Sequence, residues 1–171
     1  MAAVHAIVTV TTPSAKNFVD GDVSVANDTI TITSHGLKTG LKVAATTSGT
    51  LPGGLSATDY WVIVSDSNTI KLATSAANAI AGTAIGITSA AGGGTHTLTP
   101  AAISSSTVKV QGSNDETNWV DISGATANIT ATGSLLINVA DVGYRWIRPV
   151  YTITTGQVSV STLVTGKERA E

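Results

Sequence analysis

Apolar and polar residues alternate with a period of two along most of this chain. That spacing puts successive side chains on opposite faces of a strand. Thr29-Ile30-Thr31-Ile32-Thr33 places both Ile on one face and all three Thr on the other, between the turn-forming pairs Asn27-Asp28 and His35-Gly36. Leu41-Lys42-Val43-Ala44 predicts the next strand, and Leu51-Pro52-Gly53-Gly54-Leu55 predicts an irregular turn. Residues 59–64, Asp-Tyr-Trp-Val-Ile-Val, form the strongest strand signal of the first half. Asp66-Ser67-Asn68 turns them into Thr69-Ile70-Lys71-Leu72-Ala73, a hairpin. One short helix is expected over residues 75–80, with Ser75 as its N-cap and Gly82 just past its end. The N-terminal run Val4-His5-Ala6-Ile7-Val8-Thr9-Val10 reads as a strand.

Residues 91–94, Ala-Gly-Gly-Gly, predict a flexible connection into His96-Thr97-Leu98-Thr99. Pro100 and Ala101-Ala102 mark a domain seam. Beyond it, Thr107-Val108-Lys109-Val110-Gln111, Trp119-Val120-Asp121-Ile122, residues 127–131 and Leu135-Leu136-Ile137-Asn138-Val139 continue the series. Tyr144-Arg145-Trp146-Ile147-Arg148 leads to Pro149, which confines that strand to an edge, an end or a bulge. Gln157-Val158-Ser159-Val160-Ser161 alternates strictly, and residues 166–171 form a charged tail. The fold class is all-β: a small β-barrel module over residues 14–99 and a jelly-roll-like β-sandwich over residues 101–165. Thr12-Pro13 and Thr99-Pro100 bracket the module. Strand 3–12 either completes the C-terminal sandwich, making the module an insertion, or belongs to the first of two beads in series.

Composition supports strands. Of 171 residues only 12% are charged and 4% aromatic, against about 25% charged in an average domain. Ser and Thr supply about a quarter of the chain, and hydroxyl and β-branched residues disfavour helix. There is no cysteine, so neither a disulfide nor a thiolate metal site contributes. A net charge of −2 offers no attraction to nucleic acid or an anionic membrane, and neither partner is expected. No apolar stretch reads as a signal peptide or a transmembrane helix; the longest, residues 79–91, is interrupted by Gly82 and Gly86.

Candidate chemistry is sparse. His5, His35 and His96 have no His or Cys partner at metal-ligand spacing, and His35 sits in a turn where a structural role is expected. No Gly-x-Ser-x-Gly elbow marks a nucleophile, and Gly92-Gly93-Gly94 lacks the Lys of a phosphate loop. Asp20-Gly21-Asp22 and Asp115-Glu116 read as solvated turns rather than calcium loops. Tyr60, Trp61, Trp119, Tyr144, Trp146 and Tyr151 lie among aliphatics, where core packing is expected. Lys109, Arg145 and Arg148 are too few for a groove that tracks phosphates. The expectation is no catalytic residue, no metal and no cofactor. The one candidate interaction loop contains Asn114, Asp115, Glu116 and Trp119.

Two stretches carry a resemblance. His35-Gly36-Leu37-Lys38-Thr39-Gly40, Thr47-Ser48-Gly49-Thr50-Leu51-Pro52-Gly53-Gly54-Leu55, Asp59-Tyr60-Trp61-Val62-Ile63, Asn68-Thr69-Ile70-Lys71-Leu72-Ala73 and the ending from Gly82-Thr83-Ala84-Ile85 through Gly94-Thr95-His96-Thr97-Leu98 together span about residues 27–99. In order and spacing they resemble a small β-barrel module of tailed-bacteriophage structural proteins, of the kind likened to the FCCH domain of ubiquitin-activating enzymes. Val110-Gln111-Gly112-Ser113-Asn114-Asp115, Trp119 and Tyr144-Arg145-Trp146-Ile147-Arg148 resemble a discoidin-like or jelly-roll sandwich of phage virion proteins. That second likeness implies a buried Trp after the Ser-Asn-Asp turn and a Tyr-Arg-Trp-Ile-Arg strand running through the core.

The resemblance implies a non-enzymatic structural component of a tailed-phage virion, assembled in the host cytoplasm. A capsid decoration protein or a small neck or tail protein is expected. Its partners would be the major capsid protein or neck and tail proteins, with homo-oligomerisation wherever the site repeats. The alternative is a receptor- or glycan-binding module of a tail fibre or baseplate.

Overall fold

The first strand, β1 (Ala2–Thr11), finds its partners more than a hundred residues away. The computed structural model describes residues 2–90, 93–104, 106–154 and 156–167. The chain divides into two compact units: residues 13–101 form one, while residues 1–12 and 102–171 form the other. The middle segment therefore interrupts the discontinuous unit in sequence. Both units are all-β, and each has its own core.

In the middle unit seven strands share one sheet, in the order β2-β8-β5-β6-β7-β4-β3. They are β2 (Lys16–Phe18), β3 (Val23–Ser24), β4 (Thr29–Thr31), β5 (Lys42–Thr47), β6 (Asp59–Val64), β7 (Thr69–Ala73) and β8 (His96–Pro100). The sheet curls into a half-barrel. Ile30, Val43, Val62, Ile70 and Leu98 fill it, all fully buried, together with Phe18 and Tyr60. The alternation expected at residues 29–33 buries Ile30 and Ile32 and exposes Thr31 and Thr33. The helix α1 (Ala76–Ala81) starts where Ser75 accepts the Asn78 N–H and stops at left-handed Gly82, φ 75°. Chain entry and exit lie side by side, because Lys16 pairs with Leu98 across β2 and β8.

The discontinuous unit is a sandwich of two three-stranded antiparallel sheets. One has the order β10-β9-β12, from β9 (Ser106–Ser113), β10 (Val120–Ile129) and β12 (Trp146–Thr152). The other has the order β11-β1-β13, with β11 (Gly133–Val142) and β13 (Ser159–Lys167) flanking β1. Ala6, Val8 and Val10 from β1 meet Val108 and Val110 from β9 in the core, with Ile129 and Ile137 closing it. The Tyr151 hydroxyl reaches the Thr162 hydroxyl from one sheet to the other.

Several expectations are corrected. Residues 120–129 form one strand, not two, because left-handed Gly124, φ 75°, sits in a bulge that shifts the register between Asp121 and Thr126. Tyr144 and Arg145 precede β12 instead of opening it, whereas β12 does lie at a sheet edge, one of the places to which Pro149 confines it. Of the six Tyr and Trp residues assigned to cores, Tyr60 is buried and Tyr151 is half-buried against the sandwich core; Trp61, Trp119 and Trp146 are half-buried and Tyr144 is exposed. Gly166 and Lys167 belong to β13. Tail residues 168–171, and Ala91 and Gly92 of the glycine connection, lie outside the described residues.

Candidate interaction surface

The predicted loop is a hydrogen-bonded turn organised around one carboxylate. Asp115 Oδ1 accepts from the Thr117 and Asn118 N–H groups at 2.9 and 2.7 Å and from the Ser113 hydroxyl at 2.9 Å. Its Oδ2 accepts from the Asn118 amide at 2.7 Å. Those bonds, the Asn118 N–H first, hold the Asp115 carboxyl far below the usual carboxylate range. Asn114 Oδ1 accepts from the Arg145 N–H, and the Trp119 indole donates to the Glu116 carbonyl at 3.0 Å. Asn114, Asp115, Glu116 and Trp119 are therefore brought together, but Asp115 spends its carboxylate inside the turn and Asn114 ties the turn to the segment before β12. The turn leads to a Trp that is half-buried rather than interior.

Trp119 borders the outer face of the β10-β9-β12 sheet, where polar side chains interlock. The Arg148 guanidinium lies 4.3 Å from the Trp119 ring centroid and donates twice to Gln111, at 3.0 and 2.8 Å. Gln111 donates to Asp121 at 2.7 Å, and Lys109 donates to the other Asp121 oxygen at 2.7 Å. Lys109 and then Gln111 keep the Asp121 carboxyl below its ordinary range. This face carries two cations, yet each is committed to a neighbour.

The opposite sheet presents different chemistry. On β1, residues 6, 8 and 10 point inward, so His5, Ile7 and Thr9 point outward. Ile7 pairs with Leu136 on β11 and with Leu163 on β13. All three are exposed, at 44%, 61% and 60%, and stand side by side across three adjacent strands. The flanking rows are uncharged: His5 bonded to Asn138 at 2.6 Å on one side, and Thr9, Ser134 and Ser161 on the other. A contiguous strip on the order of 300 Å² lies in the range where patches on monomers mark contact sites. Of the other strongly exposed aliphatics, Val19 and Ile80 sit in the middle unit, while Val120 opens β10 on the other sheet of the sandwich.

Sequence reasoning missed this strip, although a signal exists. Ala6-Ile7-Val8 and Leu135-Leu136-Ile137 are consecutive apolar residues in strands that otherwise alternate, so both faces of these strands are apolar. A half-buried strand needs only one such face.

Two histidines of the middle unit are buried. His35 accepts the Leu37 N–H on Nδ1 at 2.9 Å and donates from Nε2 to the Asp66 carbonyl at 2.8 Å, in keeping with its expected structural role. An open depression of about 370 Å³ lies over it, bordered by Lys38, Val64 and Ser67. His96 stands between the Thr47 hydroxyl, 2.8 Å from Nδ1, and Asp20 Oδ1, 3.1 Å from Nε2. This has the connectivity of a hydroxyl–imidazole–carboxylate relay, but His96 is fully buried and the Thr47 hydroxyl also accepts the Gly49 N–H. Both ring nitrogens of His96 are thus engaged by protein groups. Asp20 Oδ2 accepts the Gly93 N–H, so residues 20–22 are not a freely solvated turn. His96 first, and then Gly93, lower the Asp20 pKa. Among the described residues no three His, Asp or Glu side chains group as metal ligands.

Comparison with family models, curated proteins and solved structures finds no match to this chain.

Proposed function

We propose that this chain is a structural protein of a tailed-phage particle that works by packing against other virion proteins. The observation that carries the assembly reading is the uncharged strip Leu136–Ile7–Leu163 on an exposed sheet face. Elsewhere the structure commits its reactive groups internally: His35, His96, Asp20 and Asp115 each hold backbone or neighbouring side chains in place. The assignment to a phage particle draws on the resemblance over residues 27–99. A low-charge surface suits contacts that salt does not weaken.

A capsid decoration role is favoured over a neck or tail role, with the major capsid protein as partner. The receptor- or glycan-binding alternative needs an open aromatic platform. Arg148 already covers one face of Trp119, the aromatic residue of the candidate loop. Quantitative mass spectrometry of purified particles tests the proposal. A fixed copy number is expected, on the order of hundreds for a capsid site or of six to twelve for a neck or tail site. Particles without a stoichiometric copy overturn it.

A further inference from the structure

We infer that the outer face of the β11-β1-β13 sheet is a self-pairing surface whose occupant is the same face of a second copy of this chain. The inference deepens the assembly reading by naming the partner of that face, but it does not depend on the particle being a phage.

Three observations point to a second copy. The first is charge. His5, Ile7, Thr9, Ser134, Leu136, Asn138, Ser161 and Leu163 include no acid and no Lys or Arg. A basic or acidic partner would gain nothing here, whereas an identical face brings no like charges together.

The second is the symmetry of the rows. A two-fold axis lying along the apolar row sets Leu136, Ile7 and Leu163 of one copy on their own images. The same operation brings the His5–Asn138 row against the Thr9–Ser134–Ser161 row of the partner copy. Imidazole and amide then face hydroxyls, which donate and accept equally well. This is the isologous contact expected of a closed pair, and aligned face-to-face packing of sheets is an ordinary geometry for it.

The third is area. Three strands about 4.8 Å apart and about nine residues long offer roughly 430 Å² per copy. A pair would therefore bury about 900 Å², less than the 1,200–2,000 Å² or so of a stable interface. The free protein should pair weakly, and the contact should fill only at high concentration or where a particle holds copies next to each other.

Sedimentation velocity on the full chain from about 10 µM to about 1 mM tests this. Wild type should shift from monomer towards dimer across the series. Ile7→Asp and Leu163→Asp should raise the dissociation constant at least tenfold, with unchanged circular dichroism and melting temperature. Ile80→Asp, on the exposed side of α1, should leave it unchanged. The absence of cysteine allows a second reading that needs no disruptive change. Ile7→Cys should be joined to its partner copy by a short bis-maleimide several times faster than Ile80→Cys.

Equal joining of the two cysteine variants overturns the inference, as does dimerisation of Ile7→Asp at the wild-type constant. A wild-type chain monomeric up to 1 mM overturns it too. If in that case Leu136→Asp still blocks incorporation into particles, the face belongs to a different virion protein. The particle reading then survives while self-pairing fails.

Discussion

At the scale of single residues, His35 satisfies two backbone groups at once, the Leu37 N–H and the Asp66 carbonyl. His35→Ala orphans both in a buried turn, and each unpaired group costs about 1–3 kcal/mol. Urea unfolding should show a loss of about 2–4 kcal/mol. Hydrogen bonds favour the ionised form of several carboxylates in the folded chain. Asp20, Asp66, Asp115 and Asp121 all have depressed pKa values in the folded chain. In the unfolded chain these groups take up protons first, near pH 4. Their stabilisation is therefore complete above that pH and declines as pH falls through the folded values. Melting temperature should fall steeply from pH 4 downwards, and Asp115→Asn should lower it at pH 7 while flattening that decline. An equally steep decline in Asp115→Asn would remove Asp115 from the explanation. His35 was legible because its turn is local. The His96–Asp20 contact was not, because its residues are 76 positions apart and only the pairing of β2 with β8 brings them together.

At the scale of elements, β1 occupies the middle of its sheet, so β11 and β13 have no ladder partner there without it. Residues 102–171 alone should lack near-ultraviolet dichroism and cooperative melting. Adding a peptide of residues 1–12 in trans should restore both. Recovery of a native-like signal without the peptide would contradict the central placing of β1. Close packing makes a second element-scale prediction. A Cβ on Gly112 would lie 2.2 Å from Tyr144 Cδ2, so Gly112→Ala should destabilise by about 1–3 kcal/mol. In a Tyr144→Gly background, which also removes the Tyr144 Cβ at 2.9 Å, the same substitution should cost less. Period-two alternation located β6 and β7 between local turn residues, and the Ser75 cap and Gly82 located α1. Alternation split β10 in two because the Gly124 bulge interrupts it without ending the strand. The aromatic residues misled for a related reason: amphipathic rings such as Trp119 and Trp61 cover sheet surfaces under Arg148 and Lys42.

At the scale of the whole molecule, two separate cores imply two separately foldable units. Residues 13–101 begin and end on neighbouring strands, so that segment should fold when excised, with a single cooperative urea transition. Composition indicated an all-β chain with little charge, and the contact strip appears only once β1, β11 and β13 are in register. Function in this account lies in that strip rather than in a pocket. The most direct test is the copy number of wild type and Ile7→Asp in purified particles, measured side by side after both are shown to be folded. Wild type should be present at a fixed stoichiometry, and Ile7→Asp should be reduced at least tenfold. Incorporation of Ile7→Asp at the wild-type level, or absence of the wild-type chain from the particle, would contradict it.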